Sequence, residues 1–176
     1  MALNTAVMFG KATDEWSTPQ ALFDALNAEF EFAIDAAASP ENYKCWMWWG
    51  PKAPMAIHRN ALASFSWPPT SIWLNPPYSK VREFITKAAL EARGGATVVC
   101  LVPSRTDTRW WHSEVWDAQK HTPRPGVEIR FVKGRLKFGN ATNSAPFPSV
   151  VLIFRPRSGV AAVATDAESD GADRVR

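Results

Sequence analysis

Residues 75–78 read Asn-Pro-Pro-Tyr, the four consecutive positions of this 176-residue chain that concentrate the most chemistry. Two prolines in a row lack the N–H donors a sheet ladder needs, so a strand that reaches Asn75 must stop there on a stiff backbone. A stiff turn leaves carbonyls free to accept hydrogen bonds from a ligand. Asn75 adds an amide oxygen, and Tyr78 adds an aromatic face. Together they offer acceptors for an amino group and a platform for a planar ring. The bland alternative is an ordinary Pro-rich turn. Placement favours a site, because an apolar strand, Ser71-Ile72-Trp73-Leu74, runs into the motif. A helix with Val81, Phe84, Ile85 and Ala88 on one face follows it.

A second carboxyl-terminal strand position carries an acid. Glu31-Phe32-Ala33-Ile34-Asp35 alternates as a strand and ends on the Asp35 carboxylate, before Ala36-Ala37-Ala38-Ser39 and Pro40. Asp35 reads either as a ligand group at a strand end or as a helix cap. The elements around these two positions alternate. Ser17 or Thr18 can cap a helix with Pro19 in its first turn, and Leu22, Phe23, Leu26 and Phe30 follow at helical spacing. Residues 41–58, rich in Trp and Pro, read as irregular. Gly94-Gly95 closes the helix after Tyr78, and residues 96–102 form an apolar strand of the kind buried on both faces. A helix is expected over about 108–119, and strands over 128–132 and 149–154. Strand–helix–strand alternation predicts a single α/β domain, a mostly parallel sheet with helices on both faces. Such sheets bind ligands beyond the carboxyl ends of their strands, where Asp35 and Asn75 both fall.

Composition narrows the class. The chain is 46% hydrophobic, enough for one globular domain. Its nine Trp exceed ordinary packing needs and suit flat partners, although core use is the commoner explanation. The net charge of +3 understates the body's basicity. Residues 158–176 hold four acids and two Arg, which leaves 18 basic against 13 acidic residues on 1–157. That balance is compatible with a phosphate-bearing partner. Cys45 and Cys100 make neither a disulfide scaffold nor a zinc motif and suit a reducing cytoplasm. No signal peptide is read, and no apolar run nears the roughly 18–20 residues of a membrane span. His112-Ser113-Glu114 matches half of a zinc-deaminase motif, but the Pro-Cys-x-x-Cys half is missing. Phosphate-binding and dinucleotide-binding glycine loops are missing as well, and no metal is expected. Residues 1–13 read as a loose lead-in and 158–176, small and polar, as a disordered tail.

The tetrapeptide in this setting resembles the catalytic motif of amino-methyltransferases that use S-adenosylmethionine. The wider run is similar to the small phage and prophage DNA adenine methyltransferases. The similarity rests on Asp14-Glu15-Trp16-Ser17-Thr18-Pro19-Gln20, Ile34-Asp35-Ala36-Ala37-Ala38-Ser39, the tetrapeptide and Leu101-Val102-Pro103-Ser104-Arg105-Thr106-Asp107-Thr108. Gly134-Arg135-Leu136-Lys137-Phe138 and Ser144-Ala145-Pro146-Phe147-Pro148-Ser149 complete it. It covers most of residues 14–156 and implies a methyltransferase domain over 14–157.

The resemblance implies that the Asn75 side-chain oxygen and the Pro76 carbonyl accept both hydrogens of an adenine 6-amino group, next to Pro77, while Tyr78 stacks on the base. Trp16, Thr18 and Pro19 resemble the block around the cofactor's methionine end. Asp35, with Ala36 and Ala37, looks like the acidic opening of the cofactor loop, placed to meet an amino group. The loop departs from the glycine-rich form of larger methyltransferases. The family's acid before the next Trp is Ser66 here, ahead of Trp67. For DNA, Arg105, Arg109, Lys133, Arg135 and Lys137 lie in segments that leave or enter strands near one sheet end, within reach of phosphates. Phe147, between two prolines, is placed to stack on an adenine swung out of a duplex. The expected setting is the cytoplasm of a bacterial host. Two alternatives stand beside this: an amino- or amide-methyltransferase acting on RNA or protein, and an inactive phage DNA-binding relative.

Overall fold

The structure, a computed structural model, describes residues 16–63, 65–139 and 143–157. The expected lead-in, Asp14 and Glu15, and the expected tail lie outside the described residues. Helix α1 (Gln20–Phe30) precedes two short strands, β1 (Ile34–Asp35) and β2 (Met47–Trp48). Then come β3 (Ser71–Leu74), α2 (Val81–Arg93) and β4 (Thr97–Pro103). A small hairpin of β5 (Trp116–Asp117) and β6 (Thr122–Pro123) leads to β7 (Val127–Phe131) and β8 (Ser149–Phe154).

Six strands form one sheet in the order β2-β1-β3-β4-β8-β7. The first four are parallel, and β8 inserts antiparallel between β4 and β7. The sheet is therefore mostly parallel. Its central strands are rich in β-branched residues because they are buried on both sides, so each alternate side chain needs an apolar partner. Val98, Cys100 and Val102 of β4, with Val150, Leu152 and Phe154 of β8, face α2 through Phe84, Ile85, Ala88 and Ala92. Val99, Leu101, Val151 and Ile153 point the other way and meet Phe23 and Leu26 of α1. The period of two along the strands thus splits the core into two layers, one helix on each.

Local chemistry departs from expectation in four places. Neither Ser17 nor Thr18 caps α1; Pro19 occupies the N-cap and its carbonyl accepts the Leu22 and Phe23 N–H groups at 3.1 and 3.2 Å. The strand expected over 31–35 is regular only at Ile34–Asp35, since the chain leaves α1 through Glu31 in the left-handed region. Residues 41–58 contain the edge strand β2 and a 3-10 turn, Ala56–Arg59, inside the otherwise irregular run. The helix expected over 108–119 ends at Val115 after a short π-type turn, Trp111–Val115. Trp116 is already extended, and beyond it Asp117 accepts the Gln119 and Lys120 N–H groups at 3.0 and 3.2 Å to form the turn of the hairpin.

Tryptophan use is mostly structural. Trp49, Trp67, Trp73, Trp110 and Trp111 are buried, whereas Trp46 is 97% exposed. The irregular segment before β3 is fastened to α2 by Glu91. Its carboxylate accepts the Trp67 N–H at 2.9 Å and pairs with Lys87 Nζ at 2.6 Å, while Trp67 Nε1 donates to the Ala61 carbonyl. The pair is nearly buried, so removing one member strands the other. Glu91→Ala should lower unfolding free energy by about 3–5 kcal/mol, and Glu91→Gln, which still accepts from Trp67, should cost less. Urea unfolding midpoints of the two variants test this; equal small losses would mean that the carboxylate holds nothing.

Candidate active site

The neighbouring strands β1 and β3 run parallel with Asp35 opposite Trp73, and both end at the same side of the sheet. Beyond those ends opens a cavity of about 560 Å³. Its walls come from the 16–18 segment, the loop after Asp35, the turn after β2, the 59–62 segment and the Asn75 turn. Backbone bonds stack these walls in register. The Ala36 N–H donates to the Trp73 carbonyl, Trp49 to Asp35, and Ala38 to Trp49, at 2.8–2.9 Å. Gly50 seals this stack, since a Cβ there would sit 1.9 Å from the Ala38 carbonyl oxygen.

Asp35 is 3% exposed. Its two oxygens accept backbone N–H groups from the loop that follows, Ala37 at 3.3 Å and Lys44 at 3.0 Å. No helix starts there, so the cap alternative is excluded. Burial pushes its pKa up to about 7, against the smaller opposing effect of the two N–H donors and the Lys44 charge. Burial and the neighbouring Asp35 charge together push the Cys45 thiol up to about 12. Cys45 and Cys100 are both buried free thiols.

Asn75 is held by its nitrogen. Nδ2 donates to the Trp16 carbonyl and, at 3.0 Å, to the Thr18 hydroxyl. The opposite atom, Oδ1, is buried and has no hydrogen-bond partner, and the same is true of the Tyr78 hydroxyl. Desolvation holds that phenol well above its usual pKa, so Tyr78 stays neutral. A buried acceptor without a donor is costly, and its placement at a cavity wall marks it as a ligand position.

An aromatic cluster closes the site on one side. The Tyr78 ring stacks on Trp16, with centroids 6.0 Å apart and planes inclined by 16°. Phe147 meets both rings edge-on at 5.3 Å. Phe138 packs on Trp16 at 5.2 Å, and the Gly139 N–H donates to the Ser17 carbonyl, so residues 138–139 are tied to the 16–18 segment.

The structure brings together Trp16, Thr18, Asp35, Ala36, Ala37, Asn75 and Pro77 on the cavity wall. Pro19, Pro76 and Tyr78 are not part of it among the described residues: Pro19 caps α1, Pro76 is buried, and Tyr78 is half-buried against Trp16. Arg105 and Arg109 follow the carboxyl end of β4, and Lys133, Arg135 and Lys137 follow that of β7; all five are exposed. Ser66 is exposed and lies off the cavity wall. Lys44, Lys52, Arg59, Asn60 and Lys80 line the cavity unheralded. They come from irregular or turn segments whose spacing carries no period. Among the described residues no cluster of His, Cys, Asp and Glu could hold a metal, and no helix is long and apolar enough to cross a membrane.

A mostly parallel six-stranded sheet, helices on both faces and an acceptor-bearing turn at a central strand end define a Rossmann-like methyltransferase fold. The chain belongs to the DNA N-6-adenine-methyltransferase (Dam) family, whose sequence model it matches over residues 6–174; the family's methyltransferases use S-adenosylmethionine. It is 30% identical over 99 residues to a DNA N-6-adenine-methyltransferase of Escherichia phage T1, covering 56% of this chain and 39% of that protein. It is 26% identical over 148 residues to one of Haemophilus phage HP1, covering 82% of this chain and 80% of the relative.

The raised pKa of Asp35 has a defined consequence for stability. Its unfolded value is near 3.8 and its folded value near 7, so the folded state holds the proton more tightly. The stability this confers is complete below about pH 4 and is lost as pH rises through 7. Glu29 and Glu128 are shifted the other way, downward, so their contributions change only in more acidic solution. Unfolding free energy of the ligand-free protein should therefore fall by on the order of 2 kcal/mol between pH 5 and 8. Asp35→Asn should remove most of that slope; chemical denaturation at the two pH values checks it, and an unchanged slope would place the titration elsewhere.

Proposed function

We propose that this chain transfers a methyl group from S-adenosylmethionine to the exocyclic 6-amino group of adenine in DNA. The observation that carries this is the Asn75 amide, whose nitrogen is tied back to Trp16 and Thr18 while its oxygen is buried at the cavity without a donor. An amino group is the kind of ligand that satisfies such an oxygen. The Pro76 carbonyl is the second acceptor in this reading, with Pro77 stiffening the turn.

The cofactor fits the residues present. The cavity is ample for a nucleoside joined to an amino acid, and Asp35 is a buried carboxylate able to meet an ammonium. Trp16, Thr18, Ala36 and Ala37 supply walls around it, and Pro19 fixes the start of α1 behind them. S-adenosylmethionine, when bound, supplies an activated methyl on a sulfonium. The protein's task is then to orient the amine, withdraw its hydrogens from conjugation with the ring, and exclude water. Two acceptors at Asn75 and Pro76 do the first two. The apolar cluster of Trp16, Tyr78, Phe138 and Phe147 does the third.

A base inside a duplex must leave its stack to reach this site. Half-buried Phe147 and the Tyr78 ring are the surfaces offered to it, once Trp16 gives way. Arg105, Arg109, Lys133, Arg135 and Lys137 are exposed at the same end of the sheet and without ion-pair partners among the described residues, which suits phosphate contacts on double-stranded DNA. The setting is the cytoplasm of a bacterial host, as for an enzyme acting on phage or host DNA.

Asn75→Ala should nearly abolish methyl transfer while cofactor affinity stays within a few-fold. Labelled transfer to unmethylated DNA and calorimetric binding measure the two; retained turnover would sink the assignment, and label appearing in RNA or protein would redirect it. Arg135→Ala and Lys137→Ala should weaken binding to all sequences alike, each reducing the salt slope of log affinity by at most about one unit. An unaltered slope in both would mean that DNA approaches another face.

A further inference from the structure

A terminal amide has nearly the same shape in either orientation, but its chemistry inverts when it turns over. With the oxygen toward the cavity Asn75 accepts from an amine; with the nitrogen there, donor would face donor. What selects the orientation lies outside the motif. The Trp16 carbonyl can only accept, so it holds Nδ2 and would repel Oδ1. The Thr18 hydroxyl takes the second hydrogen of the same nitrogen at 3.0 Å, and Thr18 is 5% exposed, so water does not replace it.

We propose that Thr18, together with the Trp16 carbonyl, is a positioning residue that locks the Asn75 amide with its oxygen toward the target amine. The 16–18 segment is itself fixed from both ends. Pro19 caps α1 on one side, and on the other the Gly139 N–H donates to the Ser17 carbonyl while Phe138 packs on the Trp16 ring. The lock is therefore built by a stretch 57 residues before the turn it orients. It acts through Asn75, from the same stretch of wall that the proposed function gives to the cofactor. The proposal rests on the methyl-transfer reading for its consequence, but the lock is observable without it.

Thr18→Val keeps the shape and removes the acceptor, whereas Thr18→Ser keeps the acceptor. The Val variant should lose about 100-fold in kcat at saturating S-adenosylmethionine, the scale of a small misplacement at the reacting atom, with KM for DNA within a few-fold. The Ser variant should recover most of the rate. Independently of activity, the Asn75 side-chain NH2 pair, identified by its disappearance in Asn75→Ala, should exchange slowly with solvent in the unaltered protein and in Thr18→Ser. Exchange should be faster in Thr18→Val. If Val disrupts folding, as judged by a collapsed amide spectrum, Thr18→Ala carries the same expectations. Unchanged exchange and unchanged kcat in the Val or Ala variant would overturn the proposal, and so would a loss confined to cofactor affinity. Altered exchange in a protein that methylates no adenine would instead leave the lock standing and remove the reading of function on which its purpose rests.

Discussion

The buried carboxyl group of Asp35 organises the cavity. It sits at the tip of a two-residue strand and is nearly buried, so its oxygens must be met largely by the protein. The chain meets them with its own backbone, Ala37 and Lys44 bending back to donate. That bend forms the cavity wall, and it delivers the chain to β2, whose pairing with β1 sets the sheet edge. Two N–H donors and one nearby lysine do not offset the desolvation, so the group holds its proton up to about neutrality. A carboxyl in that state is poised to ionise when a cation arrives beside it, which is how a binding site can keep an acid buried at modest cost to the fold.

Asn75 shows the complementary economy. Its nitrogen is satisfied by two acceptors and its oxygen by none, so the structure carries one unmet acceptor on a residue of the cavity wall. The Pro-Pro turn ends the strand at this point, because neither proline has an N–H to donate to a ladder. The surrounding rings enclose the turn, and the buried Tyr78 hydroxyl among them has no partner either. Tyr78 lies on Trp16, and Phe138 and Phe147 complete the cluster, so the ring expected as an open platform is covered by a neighbour in this state. The Gly139–Ser17 hydrogen bond ties the segment that carries Trp16 to the chain beside Phe138.

Much of the fold was legible because it is written in periods. The unbroken apolar run over 96–102 announces a strand buried on both faces, and the spacing of Phe84, Ile85 and Ala88 announces the helix that covers one of them. The Asn-Pro-Pro-Tyr turn was equally legible, since two prolines after an apolar run leave the backbone little choice. Segments without a period resisted. The helix expected over 108–119 stops at Val115, where Trp116 turns extended and Asp117 then shapes a tight hairpin turn, a choice that spacing does not encode. The lining residues Lys44, Lys52, Arg59 and Lys80 carry no pattern that separates them from solvated lysines and arginines.

By itself, then, the sequence determined the layered α/β architecture, the strand ends that carry Asp35 and Asn75, and the chemical types gathered there, because periodicity and proline act locally. Tertiary structure alone decided which way those groups face. Whether Asp35 caps a helix or is buried under a loop depends on Ala37 and Lys44 folding back, and whether Asn75 offers oxygen or nitrogen depends on Trp16 and Thr18, 57 and more residues away. Desolvation and hydrogen-bond partnership are properties of what surrounds a group, and only the packed chain supplies those surroundings.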